Sequence, residues 1–304
     1  MNRQLLKGGL FVFLGASSFG ILSTVIKTAY SKGYTVGEIT GVQTFYGFIF
    51  LWASFSLQKL FTKKSQKEKI CSQPLSLLTT LKIILSGSFT GLVGIFYYLT
   101  INYLPASVAI ILLMQYLWIT LTIEVIFFKK KPNTAQLVAT VFAILGAVLA
   151  GGAVGSSVEL NVKGVVFGML AALSYSIFLL TSGRVGNNLP VLKKRALIIT
   201  GSWLISWLIF PPVFFFNGAF TSGLYQWGIL IALMGTVIPP LFFAIGIPKT
   251  GVSLAAIISA IELPAAVLMA YIVLKEPVDT MRWVGVVMIL VAIILPNLKT
   301  RLSK

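Results

Sequence analysis

The sequence predicts an all-α integral membrane protein. Ten transmembrane helices form two inverted five-helix repeats, with both termini in the cytoplasm. Three observations predict this. The composition is too apolar for water, the chain divides into ten stretches of membrane-crossing length, and its second half repeats its first.

Of 304 residues, 57% are hydrophobic and 10% charged, with a mean hydropathy of +0.96. A soluble domain carries about 25% charged residues. The chain has no histidine and a single cysteine, Cys71. Histidine-based catalysis, a histidine-containing metal site and an intrachain disulfide are therefore excluded. No metal and no cofactor are expected. A net charge of +17 suits a nucleic-acid partner, but the basic residues fall between the apolar runs, which is how membrane orientation is encoded. The expected partners are the lipid bilayer and a small-molecule substrate, not nucleic acid.

A span needs about 20 apolar residues. Ten windows qualify: 8–30, 36–58, 80–101, 106–128, 135–155, 163–183, 195–216, 225–247, 251–274 and 282–298. The first, "GGLFVFLGASSFGILSTVI", is longer than a signal-peptide core, and no small-x-small cleavage site with a polar segment follows it. It reads as an uncleaved span. Pro105 and Pro132 follow short polar turns, and "GNNLP" at 186–190 is a loop.

With the N-terminus cytoplasmic, the inside segments hold 19 of the 24 Lys and Arg residues. Lys27, Lys32, Lys163, Lys275 and Arg282 make up the five outside. This excess places both termini inside, in a cell membrane, expected to be a bacterial cytoplasmic membrane. Reporter fusions at Gln66 and Asn187 should signal cytoplasm, and one at Ser156 the outside. A periplasmic signal at Gln66 would overturn the orientation.

"KGGLFVFLGASSFGILS" (7–23) laid over "KGVVFGMLAALSYSIFL" (163–179) matches at seven of 17 positions. "TIEVIFFKKKPNTAQLVATVFAILGAVL" (122–149) over "VLMAYIVLKEPVDTMRWVGVVMILVAII" (267–294) sets Lys130-x-Pro132 on Lys275-x-Pro277. The offsets are 156 and 145 residues. The first repeat is read as 1–152, the second as 160–298, and 299–304 as a basic tail. Five spans is an odd number, so the second unit enters the membrane the other way round. Inverted repeats mark secondary transporters, with the substrate held at the repeat interface near the midplane.

The arrangement resembles the drug/metabolite transporter superfamily, specifically its EamA-type ten-helix members. The most telling piece is "IELPAAVLMAYIVLKEPVDTMRWVGVVMILVAIIL" (261–295): a proline-containing helix, a Glu ending it, then a glycine-bearing last span. "GVVFGMLAALSYSIFLLTSGR" (164–184) is similar to the family's sixth helix. The first repeat departs from the pattern, with Ile119 where the family often has Pro and Lys131 where it often has Glu. The resemblance implies a carrier, often an exporter, of amino acids or other small metabolites. It also implies a cavity lined by spans one to four and six to nine, with spans five and ten peripheral.

Polar residues inside the spans are the candidate site. Glu262 is residue 12 of a 24-residue window, which at 1.5 Å rise puts it near mid-bilayer. A charge there costs roughly 3 kcal/mol on insertion scales. Pro264 leaves the Ala260 carbonyl without its usual donor, so "SAIELP" reads as a kinked polar spot. Glu262 is read as a substrate or proton-coupling group, against a structural tie to a neighbouring helix. Ser17, Gly20, Thr24 and Lys27 form one helical stripe on span one, read either as lining or as small-residue packing with Lys27 snorkelling. Gln43 and Tyr46, Tyr97 and Tyr98, Gln115 and Trp118, and Tyr175 complete a candidate aromatic, amide-bearing cavity. Pro211-Pro212, Pro239-Pro240 and Pro264 are candidate kinks or hinges. Glu38 reads as a helix-start carboxylate and Glu124 as the partner of the basic inner end near Lys129. "GSFTG" (87–91) and "GVVFG" (164–168) read as close-packing pairs.

A membrane-embedded enzyme would need clustered carboxylates or a nucleophile with a base, and the seven acids are scattered. A scaffold without transport explains the helices but not a midplane Glu. Alternating access by a secondary carrier, with protons as candidate coupling ion, accounts for both.

Overall fold

The computed structural model describes residues 3–61, 76–104, 106–152, 161–273, 275 and 278–302. The proposed fusion sites Gln66 and Ser156, together with Cys71 and Glu276, lie outside them. Among the described residues every regular element is helical. They are α1 (Arg3–Ser31), α2 (Val36–Phe61), α3 (Leu77–Tyr103), α4 in two pieces (Ala106–Met114 and Tyr116–Phe128), α5 (Thr134–Ala150), α6 (Val162–Arg184), α7 (Val191–Ile209), α8 (Phe220–Thr250), α9 in two pieces (Val252–Ser259 and Glu262–Val273) and α10 (Thr280–Leu302). Six of them, α1, α3, α4, α6, α8 and α9, are long and apolar enough to cross a membrane; α5 and residues Thr280–Leu295 of α10 are shorter apolar helices.

Helix ends follow local chemistry. Thr35 and Glu38 form a reciprocal capping box at the start of α2: Thr35 N–H donates to Glu38 Oε2 at 2.7 Å, and Glu38 N–H to Thr35 Oγ1 at 3.3 Å. Asn133 and Gln136 do the same for α5. Pro211-Pro212 stops α7 at Ile209, so the outer end of the seventh window is a short 3₁₀ turn, Val213–Phe215, rather than membrane helix.

The repeats interleave. α1 packs on α8 and α9, and its counterpart α6 packs on α3 and α4. α2 meets α7, and α5 meets α10, each a pairing of equivalent helices. Without a hydrophobic drive between helices in lipid, close backbone approach sets these contacts. Gly87 on α3 faces the Ile198 carbonyl of α7, and Gly201 on α7 faces the Ile84 carbonyl of α3. A side chain at either would press on backbone that cannot swing away. Gly87→Val should therefore destabilise by at least about 2 kcal/mol, through overpacking. Gly94→Ala, whose new methyl would meet nothing nearer than 3.9 Å, should be near neutral. Thermal unfolding in detergent compares them, and equal melting points would refute the glycine-contact account.

α5 and α10 sit at the edge, joined through Gly146 and Gly285. Their outer stripes, Leu137, Val141 and Leu145, and Val284, Val287, Val291 and Ile294, are exposed. Exposed aliphatic stripes of this kind fit lipid.

Candidate functional site

α4 and α9 are both interrupted half-way. The breaks fall at Gln115 and Ala260, 145 residues apart, the offset that aligns Lys130 with Lys275. Each closes the first piece with a tight bond three residues back: Gln115 N–H to the Leu112 carbonyl and Ala260 N–H to the Ile257 carbonyl, both 3.1 Å. In α9 the cause is Pro264, which offers no N–H to the Ala260 carbonyl. That carbonyl accepts Leu263 N–H at 3.3 Å instead, and Pro264 sits in the first turn of the second piece, where its missing donor costs least. In α4, Ile119 keeps its N–H, and side chains complete the break. Gln115 Nε2 donates to the Ile111 carbonyl at 3.0 Å, and Trp118 Nε1 donates to Gln115 Oε1 at 2.8 Å.

The helix that crosses each break is specialised. Gly20 on α1 lies against the backbone of Glu262; a Cβ there would sit 2.8 Å from Ala266 N. The equivalent position on α6, 156 residues later, is Ser176, which donates to the Tyr116 carbonyl at 3.2 Å. Tyr116 Oη then donates across the repeat interface to the Ala256 carbonyl at 3.2 Å.

These two breaks flank a cavity of about 120 Å³. Its lining comes from α1–α4 and α6–α9, and none from α5 or α10. Thr40, Gln43 and Thr44 on α2, Thr90 on α3, Ser202 and Ser206 on α7 and Thr236 on α8 supply polar groups. Phe19, Tyr175 and Phe178 form an aromatic wall, with Tyr175 edge-on to Tyr116 at 4.5 Å and stacked with Phe178 at 5.8 Å. Tyr98 Oη donates to Gln43 Oε1 at 3.4 Å. Gln43 reaches α8 because Gly235 is bare; a Cβ there would lie 2.6 Å from Gln43 Nε2.

Glu262 heads the second piece of α9 on the cavity wall. Its Oε2 is enclosed and has no hydrogen-bond partner. The Tyr175 hydroxyl lies beside the carboxyl, yet Tyr175 Oη also lacks a hydrogen bond of good geometry. An enclosed carboxyl oxygen and a buried hydroxyl left open beside a cavity are unusual, because buried polar groups are nearly always satisfied.

The cavity occupies one half of the bundle. On α2 the lining stops at Thr44, two turns in, and on α1 it runs from Phe19 to Ile26, away from the basic end. The other half carries most of the Lys and Arg residues. There Glu124 of α4, 1% exposed, accepts Arg184 Nη2 of α6 at 2.6 Å, lies 3.9 Å from Lys130 Nζ, and accepts Ser253 Oγ of α9. The expected pairing with the basic inner end is thus made through Lys130, while Lys129 caps α4 in a left-handed conformation, φ 51°. Glu124 thus ties the first repeat to two helices of the second at a single point.

The structure brings together Gln43, Tyr97, Tyr98, Tyr175 and Glu262, with Gly20 of the α1 stripe, and leaves Ser17, Thr24, Lys27, Tyr46, Gln115 and Trp118 off the lining. Gln115 and Trp118 are consumed by the α4 break, and Trp118 is exposed on the outer surface. Tyr46 stacks on Phe50 and Phe220. Thr24 is buried in α1, Ser17 is half-buried and Lys27 is exposed; it is Ser18 that ties α1 to α8, through the Met234 carbonyl at 2.8 Å. Pro239 and Pro240 stand where the π-helical turn Ala232–Val237 meets the last stretch of α8. They withhold donors from the carbonyls of Gly235 and Thr236, both lining residues. Sequence reasoning missed Thr40 and Thr44, although with Gln43 they repeat at helical spacing, and Ser202 with Ser206, four apart on α7.

The model of the EamA-like transporter family matches twice, at residues 6–152 and 162–298. The chain belongs to the EamA-like transporter family. It is accordingly a multi-pass membrane transporter of small molecules, within the drug/metabolite transporter superfamily. Among solved structures 29 chains match. One, titled only "Crystal structure of protein", superimposes with a TM-score of 0.77 over 98% of each chain at 13% identity, a likeness of fold alone. No curated protein matches the chain.

Proposed function

We propose that this EamA-family protein is a secondary transporter, an exporter or exchanger of amino acids or related small metabolites, working by alternating access around the cavity between its repeats. The observation that carries the reading is Glu262, whose enclosed Oε2 has no hydrogen-bond partner, on the wall of a cavity lined by helices of both repeats. The ten helical segments each cross the membrane, with both termini on the cytoplasmic side of a bacterial inner membrane. The conformation is then open toward the outside and shut toward the cytoplasm by Glu124. Glu262 anchors a polar group of the solute, or exchanges a proton for it, while Tyr175 and Gln43 supply further hydrogen bonds. The broken helices α4 and α9 give two half-helices that can tilt separately about the cavity, as in other inverted-repeat carriers.

The test is a panel of labelled amino acids and small metabolites, followed in cells with and without the protein and then in vesicles containing it. At least one solute should cross faster with the protein present in both systems. Identical rates across the panel, in cells and in vesicles, would reject the transport reading.

A further inference from the structure

Arg195 lies in the first turns of α7 and is 1% exposed. None of its three guanidinium nitrogens has a hydrogen-bond acceptor among the described residues. Arginine stays charged under all accessible conditions and carries five donors in a fixed fork. An enclosed, unpaired cation of this kind costs several kcal/mol. The surroundings do not compensate it. Its neighbour Lys194 is another cation, committed to the Ser182 carbonyl at 3.0 Å and Asn187 Oδ1 at 2.9 Å. The Glu124 carboxylate is held by Arg184, Lys130 and Ser253. What Arg195 does face is Phe178: its Cζ lies 6.0 Å from the ring centroid. Phe178 is also a wall residue of the cavity. One aromatic ring therefore touches both the cavity and the buried guanidinium, and Ser182, one turn further along α6, has a buried hydroxyl that is likewise unpartnered.

We propose that Arg195 is a second binding station, on the basic side of the cavity floor, for an oxyanion carried by the transported solute, and that Phe178 is the plug between the two stations. A guanidinium fork matches a carboxylate or a phosphate oxygen pair in two parallel hydrogen bonds. When Phe178 swings aside, the solute's anionic end passes from the Glu262 level to Arg195, and the charge left unpaired in the present conformation gains its partner. This rests on the transport reading for its purpose, but binding can be measured without transport.

The full-length protein is purified in detergent, and its melting temperature is titrated with acetate, succinate, inorganic phosphate and chloride, and with acetamide and succinamide as neutral counterparts. This is done for the wild type, Phe178→Ala, Arg195→Met and Arg195→Lys, and for Phe178→Ala combined with each of the two Arg195 substitutions. Arg195→Met keeps the side-chain bulk and removes an uncompensated charge, so without ligand it should melt at or above the wild-type temperature. Removing the plug should let an oxyanion stabilise Phe178→Ala more than the wild type. Adding Arg195→Met should weaken that apparent affinity at least about tenfold. Arg195→Lys should show an intermediate affinity, and the amides no dependence on Arg195. Whether acetate and succinate or phosphate gives the effect tells a carboxylate solute from a phosphorylated one. Stabilisation by chloride alone, or equal oxyanion binding with and without Arg195, overturns the proposal. So does a ligand-free Arg195→Met that melts well below the wild type without altering anion binding, which would make Arg195 structural. If Arg195→Met does not fold, the comparison of Arg195→Lys with the wild type in the Phe178→Ala background decides. Anion binding that depends on Arg195 in a protein that moves no solute would leave the station standing and reject only the transport reading.

Discussion

Glu262→Gln is expected to insert and fold like the wild type while transport falls at least about tenfold, equivalent to about 1.4 kcal/mol of transition-state stabilisation. The reason is one of cost. Removing a mid-bilayer charge relieves a penalty of roughly 3 kcal/mol on insertion scales. The enclosed Oε2 returns none of that cost, since it makes no hydrogen bond, and α9 is broken by Pro264 in any case. A neutral amide of the same shape should leave the fold untouched and remove only the task. If the task is proton exchange, transport by the variant should also stop responding to an imposed proton gradient, measured in vesicles. A variant with normal transport under every gradient makes Glu262 a bystander. A variant that fails to fold makes it a tie to Tyr175, and the site is then to be sought around Gln43, Tyr97 and Tyr98.

Glu124→Gln should act on the opposite side of the transport cycle. Breaking a buried ion pair by removing one partner typically costs roughly 3–5 kcal/mol, but Arg184 is 30% exposed and can rehydrate, so about 2 kcal/mol is a fairer figure. In the proposed cycle the tie belongs to the basic-side-closed conformation, and it links one repeat to the other. Its loss should therefore favour the basic-side-open conformation by roughly thirtyfold, not merely loosen the fold. A cysteine at Ser182, an isosteric change at a 1% exposed site, reports this in a Cys71→Ser background. Membrane-impermeant thiol reagents applied from the cytoplasmic side should label Ser182→Cys faster when Glu124→Gln is added. Labelling should be restored toward the starting rate by Arg184→Gln if repulsion among Arg184, Lys130 and their neighbours drives the opening. Unchanged labelling with a lowered melting temperature would show that Glu124 supports the fold without gating it.

Much of this was legible in order along the chain. Hydropathy, turn residues and the distribution of Lys and Arg depend on each residue's own chemistry, so the helical segments and the membrane class follow from them directly. The inverted repeat is readable for the same reason, as a matched order of similar segments, and Pro264 announces the α9 break by its missing N–H. Glu262 stands out because no other carboxylate is so far from a helix end. The partners of the polar side chains were not legible, because they depend on where helices cross. Gln115 and Trp118 have cavity chemistry, but the α4 break, which no proline marks, uses both. Glu124 does meet the basic inner end, through Lys130, but its shortest ion pair is with Arg184 on another helix, which spacing along the chain does not show. Arg195 reads as one more basic residue at an inner loop until α7 is brought under Phe178. Those crossings are set by backbone approach at Gly20, Gly87 and Gly201, a few ångströms of contact between segments 100 or more residues apart. The sequence by itself thus determined that this is a multi-pass membrane protein built of two repeats, with one acid in the middle of an apolar run. Tertiary packing alone decided which polar groups face the cavity and, among the described residues, which buried charges are left without a partner.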